Sequence, residues 1–406
     1  MVPRIKQRYE DFKVQEITKG VIAEERPFPE NIDEYGIAIE KELGKLKGEP
    51  TEQLKCVMQK RNTEMQTAIK ILSNKQGFSI KRIGFGGNKD KRAVTSQFIT
   101  IFEPDLERLK CFRDRNVYLH SFEYTDKKIE LGDLDKNQFE IIIRGIEPEK
   151  DIEKILKKFE KEVKNGIPNY FGEQRFGSMR SSNHLIGKLF FEGKTKEAVE
   201  LFLIGTSETE GEETKKAREL ITAGDFKQAI RLFPKENKYE KAILNSLIKN
   251  PNDYNTAWTQ IPKNLGYLFV HAYQSYLFNL YLGKRIANFT NPLETQKGDV
   301  LDTEGFVIGP LFGHNTEFAK DKVGELEKEI LKQESFSLAS FKVSNFPMLS
   351  VEGARRRIKL TVENFKILEI IDDEFNENKK AAKVSFVLDK GNYATTVTEE
   401  IIKRLQ

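Results

Sequence analysis

The stretch Gly84-Phe85-Gly86-Gly87-Asn88-Lys89-Asp90-Lys91-Arg92-Ala93-Val94-Thr95-Ser96-Gln97 sets a single carboxylate among three glycines and three cations. From Lys81 to Gln97 five cations (Lys81, Arg82, Lys89, Lys91, Arg92) stand against Asp90 alone, a net +4 in 17 residues. Such a density draws phosphate, and the cations favour the charged form of the acid they surround. Two phosphate-binding readings fail on spacing. A P-loop needs Ser or Thr directly after its lysine, and here Asp90 follows Lys89; Gly84, Gly86 and Gly87 do not fit G-x-G-x-x-G either. As bare sequence the stretch reads as a basic glycine turn.

On either side the periodicities change. Met65, Ala68, Ile69 and Leu72 recur at helical spacing over Glu64 to Asn74, with Gly77 as the stop. Phe98, Thr100 and Phe102 alternate with Ile99 and Ile101, and Gln138 to Arg144 gives a second strand-like run. From about Lys188 to Lys249 the pattern turns to short helices, with Ala198, Leu201 and Phe202 on one face and an acidic connection over Gly205 to Thr214. Strand patterning returns at Val384 to Leu388, before a closing helix from Thr398 to Leu405. A helical excursion inside a mixed chain of 406 residues, 38% of them hydrophobic, points to two domains, one inserted into the other.

Composition narrows the function class. Lys plus Arg (67) exceeds Asp plus Glu (63) by four, so a basic surface must come from local clustering. Cys56 and Cys111 are too few for a zinc cluster, and His120, His184, His271 and His314 show no ligand spacing, so no metal is expected. Ser178, Ser181 and Ser182 lie near His184 without a nucleophile elbow, which argues against hydrolase chemistry. No apolar run approaches a bilayer span and the first residues lack a secretory hydrophobic core, so a cytoplasmic protein is expected, with no membrane partner.

Gly87-Asn88-Lys89-Asp90, followed by Ala93-Val94-Thr95 and Gln97, resembles the catalytic signature of the TruD family of tRNA pseudouridine synthases. Gly166-Ile167-Pro168-Asn169-Tyr170-Phe171-Gly172-Glu173-Gln174-Arg175-Phe176-Gly177 is similar to the family's longest motif. Further similar segments follow in family order: Lys6 with Glu10-Asp11-Phe12, Leu131 to Leu134 with Asn137 and Phe139, His271 to Asn279, Gly309 to Gly313, Gly353 to Arg356, and Gly391 to Val397. The likeness spans essentially the whole chain. It implies an α+β pseudouridine-synthase catalytic domain with a mixed or antiparallel sheet, built from residues 1–164 and 351–406. A TruD-specific α+β domain would be inserted at residues 165–350, forming a cleft that grips tRNA.

The activity implied is isomerisation of uridine to pseudouridine in tRNA, at uridine 13, by a monomer without cofactor; other RNAs are further candidate partners. Asp90 matches the family's catalytic aspartate. A carboxylate there can add covalently or remove a sugar proton, and the residues leave both routes open. The resemblance brings Lys6 to the active site as a basic group and faces Asn137 and Phe139 toward the target uridine. Asn reads the uracil edge, and Phe139 would stack on the flipped base, although strand alternation alone makes Phe139 a core residue. Phe12, Lys89, Arg175 and Tyr393 complete the expected substrate-binding set. Arg175 lies among Tyr170, Phe171 and Phe176, a mixture suited to stacking and phosphate contact, while the two phenylalanines also suit packing at a domain junction. Arg355, Arg356, Arg357 and Lys359 against Glu352 give a net +3, fit for RNA backbone or for a solvated face. Asp135-Lys136 and Asp389-Lys390 depart from the family pattern, which has a glycine before the asparagine and Pro with a small residue near the C-terminus. A non-catalytic RNA-binding protein is the principal alternative.

Overall fold

The computed structural model describes residues 2–46, 49–177, 181–206 and 210–406. Ser178 and residues 207–209 of the acidic connection lie outside them. The chain forms two compact units, one from Met1–Ile167 with Thr361–Gln406 and one from Pro168–Leu360. No described helix is long and apolar enough to cross a membrane.

The first unit is built on a nine-stranded mixed sheet. Its main strands are β1 (Phe12–Thr18), β2 (Gln53–Arg61), β3 (Val94–Phe102), β4 (Val117–Thr125), β5 (Lys136–Ile146), β6 (Glu363–Asp372) and β7 (Lys380–Asp389), in the spatial order β6-β7-β5-β1-β3-β2-β4. Only the β1/β3 pair in this path is parallel; the other neighbours run antiparallel. β3 reads as alternating in sequence, yet it is buried along almost its whole length. Ile99 and Ile101 enter the cluster with Met65, Ala68, Ile69 and Leu72 of the helix Met65–Gln76, while Phe98 packs with Val57 and Ala23 in a separate cluster. The helix ends at Gly77, whose φ of +71° suits a residue without Cβ.

Buried charge fastens the start of the chain to this sheet. Arg144 donates to Asp11 from Nε at 3.0 Å and Nη2 at 2.8 Å, and to Asp373 from Nη1 at 3.1 Å, with all three side chains buried. Asn376 donates to Gln7 at 2.9 Å. Two carboxylates and several hydrogen bonds around one guanidinium supply the partners a buried charge requires, and they set where the backbone of Lys6 lies.

The second unit is mostly helical, with short helices such as Asn183–Phe191, Thr195–Ile204 and Lys238–Lys249 around the long helix Lys263–Asn288. Its core is aromatic: Trp258 lies 4.6 Å from Phe190 and 5.8 Å from Phe269, centroid to centroid. The strand Ala354–Arg357 pairs with Ile308–Leu311, so the second unit runs on to Leu360. Arg355, Arg356 and Arg357 do not form a free basic face. Arg355 bridges to the buried Glu327 at 3.0 Å, Arg357 to Asp302 at 2.6 Å, and Arg356 donates to Asn169 at 2.6 Å while covering the Phe171 ring at 4.2 Å.

Candidate active site

Residues opposed in sheet register share a face. One row crosses five strands: Lys60 on β2, Thr95 on β3, Val14 on β1, Phe139 on β5 and Phe386 on β7. Beside it Glu16, Asn137 and Leu388 form a second row. The loop Gly87–Arg92 leads into β3 at the polar end of these rows.

Asp90 is the most open acidic feature there, with its side chain 45% exposed. Lys6 Nζ lies 3.1 Å from its Oδ1 and 3.9 Å from the centroid of Phe12. Lys6 adopts a φ of +56°, an uncommon conformation for a residue with Cβ and one that concentrates at functional sites. Phe12 meets Phe139 edge-on at 6.0 Å, and Phe139 stacks on Phe386 at 5.5 Å. The cation therefore rests on an aromatic wall while pairing with the acid, a geometry that fixes a flexible lysine.

Side-chain donors hold the loop itself, two from buried strand residues, Lys60 and Gln97, and one from Arg92 at its exposed end. Lys60 Nζ donates to the Asp90 carbonyl at 2.8 Å and reaches the Lys89 carbonyl at 3.4 Å. Gln97 Nε2 donates to the Gly87 carbonyl at 3.0 Å, and Arg92 Nη2 to the Gln7 carbonyl at 2.7 Å. Burial lowers the Lys60 ammonium to about 8, against the opposing pull of the Asp90 charge. Gly84 is needed for close approach, since a Cβ there would run into the Ile129 carbonyl.

Comparison with known proteins agrees with this architecture. The profile described as tRNA pseudouridine synthase D (TruD) matches residues 1–305 and 302–401. A probable tRNA pseudouridine synthase D of Methanosarcina barkeri is 38% identical over 372 residues, 83% of this chain and 84% of the relative. One of Methanocaldococcus jannaschii is 36% identical over 405 residues, 98% of this chain and 95% of the relative. A TruD crystal structure from Methanosarcina mazei superposes with a TM-score of 0.80 at 35% identity, covering 99% of this chain and 94% of that one. The chain belongs to the TruD family of tRNA pseudouridine synthases. It is an isomerase of the α+β class.

In this TruD-family enzyme the expected residues divide by location. Lys6, Phe12, Asp90, Asn137 and Phe139 gather on one side of the sheet in the first unit. Asn137 Oδ1 and Gln97 Oε1 are buried without a hydrogen-bond partner among the described residues. Tyr393 stands at the start of the helix Ala394–Leu405, 51% exposed. Lys89 departs from the expected phosphate contact: its ammonium turns inward to Glu16 at 2.9 Å, with both groups buried. Arg175 belongs to the second unit, where its Nε donates to Ser275 at 2.9 Å and its guanidinium covers Phe171 at 5.6 Å. Lys60 and Glu16 were missed by sequence reading, because a lysine and a glutamate within strands read as solvent-facing and their immediate neighbours, Gln59 and Arg61 or Gln15 and Ile17, give no sign that they turn inward.

Proposed function

We propose that this enzyme isomerises uridine to pseudouridine in tRNA, at uridine 13, with Asp90 as the catalytic carboxylate. The observation that carries the reading is the half-exposed Asp90 carboxylate, paired with Lys6 and held from below through its own backbone carbonyl. The reaction breaks the bond between C1′ and N1, turns the uracil and joins C1′ to C5; C5 gives up its proton to solvent and the freed N1 takes one up, so atoms balance and no electrons are exchanged. Asp90 serves either by adding covalently or by removing a sugar proton, and Lys6 keeps its oxygen oriented in both. Phe12 and Phe139, 1% and 6% exposed, are core residues rather than the stacking platform expected of Phe139; they back the site, Phe12 under the Lys6 ammonium and Phe139 against Phe386. Asn137, opposite Glu16 in the register on the face of Phe139, is the amide offered to the uracil edge.

Tritium release from C5-labelled uridine in a tRNA transcript tests this, with the product position mapped and tRNA binding measured in parallel. Native protein is expected to release tritium from position 13, and Asp90→Asn to bind tRNA without release. Arg175→Ala is expected to weaken binding about tenfold and to flatten its salt dependence by roughly one phosphate contact. Release by Asp90→Asn would remove Asp90 from the chemistry. Binding without release by the native protein would favour a non-catalytic RNA-binding role.

A further inference from the structure

The loop carrying Asp90 is gripped from the sheet beneath it by side chains of two neighbouring strands. Lys60 on β2 is 1% exposed and donates to the carbonyl of Asp90 at 2.8 Å, with the carbonyl of Lys89 at 3.4 Å. Gln97 on β3 takes the Gly87 carbonyl at 3.0 Å. The charged groups around Lys60 are Asp90 and Lys89 on the loop and Glu64 ahead of the helix Met65–Gln76, with Glu16 behind Lys89.

A buried ammonium is an expensive way to fill that space. Taking a charge out of water costs several kcal/mol after relaxation, and an unbranched apolar side chain of similar length would pack there without that cost. What the ammonium offers is convergence: one group with three donors reaches two successive carbonyls and carries a positive charge to the acid between Lys89 and Lys91. We propose that Lys60 is a positioning residue for the isomerisation, fixing the main chain at Asp90 so that the carboxylate meets the target nucleotide at the angle set by its pairing with Lys6. This rests on the reading of Asp90 as the catalytic group.

The test compares native protein, Lys60→Met, Lys60→Gln and Asp90→Asn in single-turnover tritium release from labelled tRNA, with tRNA affinity and thermal melting measured on each. Lys60→Met is expected to slow the step about 10²-fold, the scale of a misplaced catalytic group, while tRNA affinity stays within about twofold of native. Lys60→Gln, which keeps an N–H donor, is expected to recover part of that rate. A native rate in Lys60→Met alongside an inactive Asp90→Asn overturns the role of Lys60 alone. Equal losses of rate and of tRNA affinity overturn it as well, because they mark a general structural defect. An active Asp90→Asn overturns both readings. Should Lys60→Met fail to fold, the rate and affinity of Lys60→Gln decide by the same criteria.

Discussion

The Asp90 loop and the run Glu352 to Lys359, which includes the strand Ala354–Arg357, look alike as sequence, each with several cations and one acidic residue, yet they resolve their charges differently. In the strand the buried partner is an acid: Glu327 is fully buried and Arg355 comes to it at 3.0 Å. Arg357 and Lys359 also pair with acids, but with more open ones, Asp302 at 2.6 Å and the exposed Glu294 at 2.9 Å. In the loop the buried members include cations: Lys89 pairs with Glu16 beneath the surface, and Lys60 holds the backbone, so the remaining carboxylate, Asp90, is left half-exposed. Linear charge density therefore does not separate a structural staple from a reactive site. Which group is left open does: at the loop Lys89 and Glu16 are buried together and Asp90 stays accessible, whereas at the strand the buried Glu327 fixes the arginine that covers it.

The strongest way to break this contrast is at the staple. Arg355→Met leaves Glu327 buried with the Ala319 N–H, at 2.7 Å, as its hydrogen-bond partner among the described residues. Burial already pushes the Glu327 carboxyl up, with Arg355 among the groups pulling it back down. The expected loss is about 3–5 kcal/mol, the scale of an orphaned buried charge, seen as a lower urea midpoint with an unchanged slope. Tritium release per folded molecule should stay native. A loss below about 1 kcal/mol would mean that the strand arginines are ornamental and that the contrast with the Asp90 loop is not one of burial.

Much of the frame was legible beforehand, for reasons that particular elements show. The helix at Met65–Gln76 matched its spacing because its four apolar positions meet the sheet and Gly77 takes a left-handed turn. The strand runs around Phe98 and Phe139 were also readable, but alternation could not show that β3 is covered on both faces, since that depends on Ala23 and Val57 arriving from elsewhere in the chain. The reading of Asp90 as exposed chemistry came from motif likeness, whereas its support did not. Lys60 lies 30 residues before Asp90, and nothing local to Lys60-Arg61-Asn62 says that one cation turns inward while its neighbour does not. The inward turn of Lys89 was hidden in the same way, because its partner Glu16 belongs to a strand paired through long-range contacts.

His120 sharpens the comparison from a different side, as a titratable group buried without charge. Its ring is fully buried, Nδ1 lies 3.0 Å from Ser121 Oγ, and Nε2 has no hydrogen-bond partner among the described residues. Burial, reinforced by the Arg26 charge and opposed by Glu42, lowers it to about 4. Between that value and about 6.5 the unfolded chain holds a proton that the native chain lacks, so stability rises with pH across the window and is lost as pH falls through it. The effect is at most about 3.5 kcal/mol, from roughly 1.4 kcal/mol per pH unit. Urea titrations at pH 7 and 4.5 should show His120→Gln losing less stability over this interval than the native protein. Equal losses would place the acid sensitivity on carboxylates instead.

The smallest effect expected is at the edge of the site, where the chain's two departures from the family pattern meet. Lys136 and Asp389 are opposed in the β5/β7 register with Nζ 3.7 Å from Oδ1, and Lys136 also reaches Glu363 at 2.5 Å. The Lys390 N–H donates to the Asp135 carbonyl at 2.8 Å. These charges are roughly two-fifths exposed, so water screens them and long side chains lose freedom in pairing. A double-mutant cycle of Lys136→Ala and Asp389→Ala should return a coupling of about 0.2–1 kcal/mol that fades at high salt. Backbone pairing already sets the register: the same two strands align Phe139 with Phe386 and Asn137 with Leu388 through main-chain bonds. A coupling well above that range, accompanied by a slower reaction, would instead make the exposed ion pair a determinant of where Asn137 sits. The distinction between sequestered and exposed charge would then fail at the place where it predicts least.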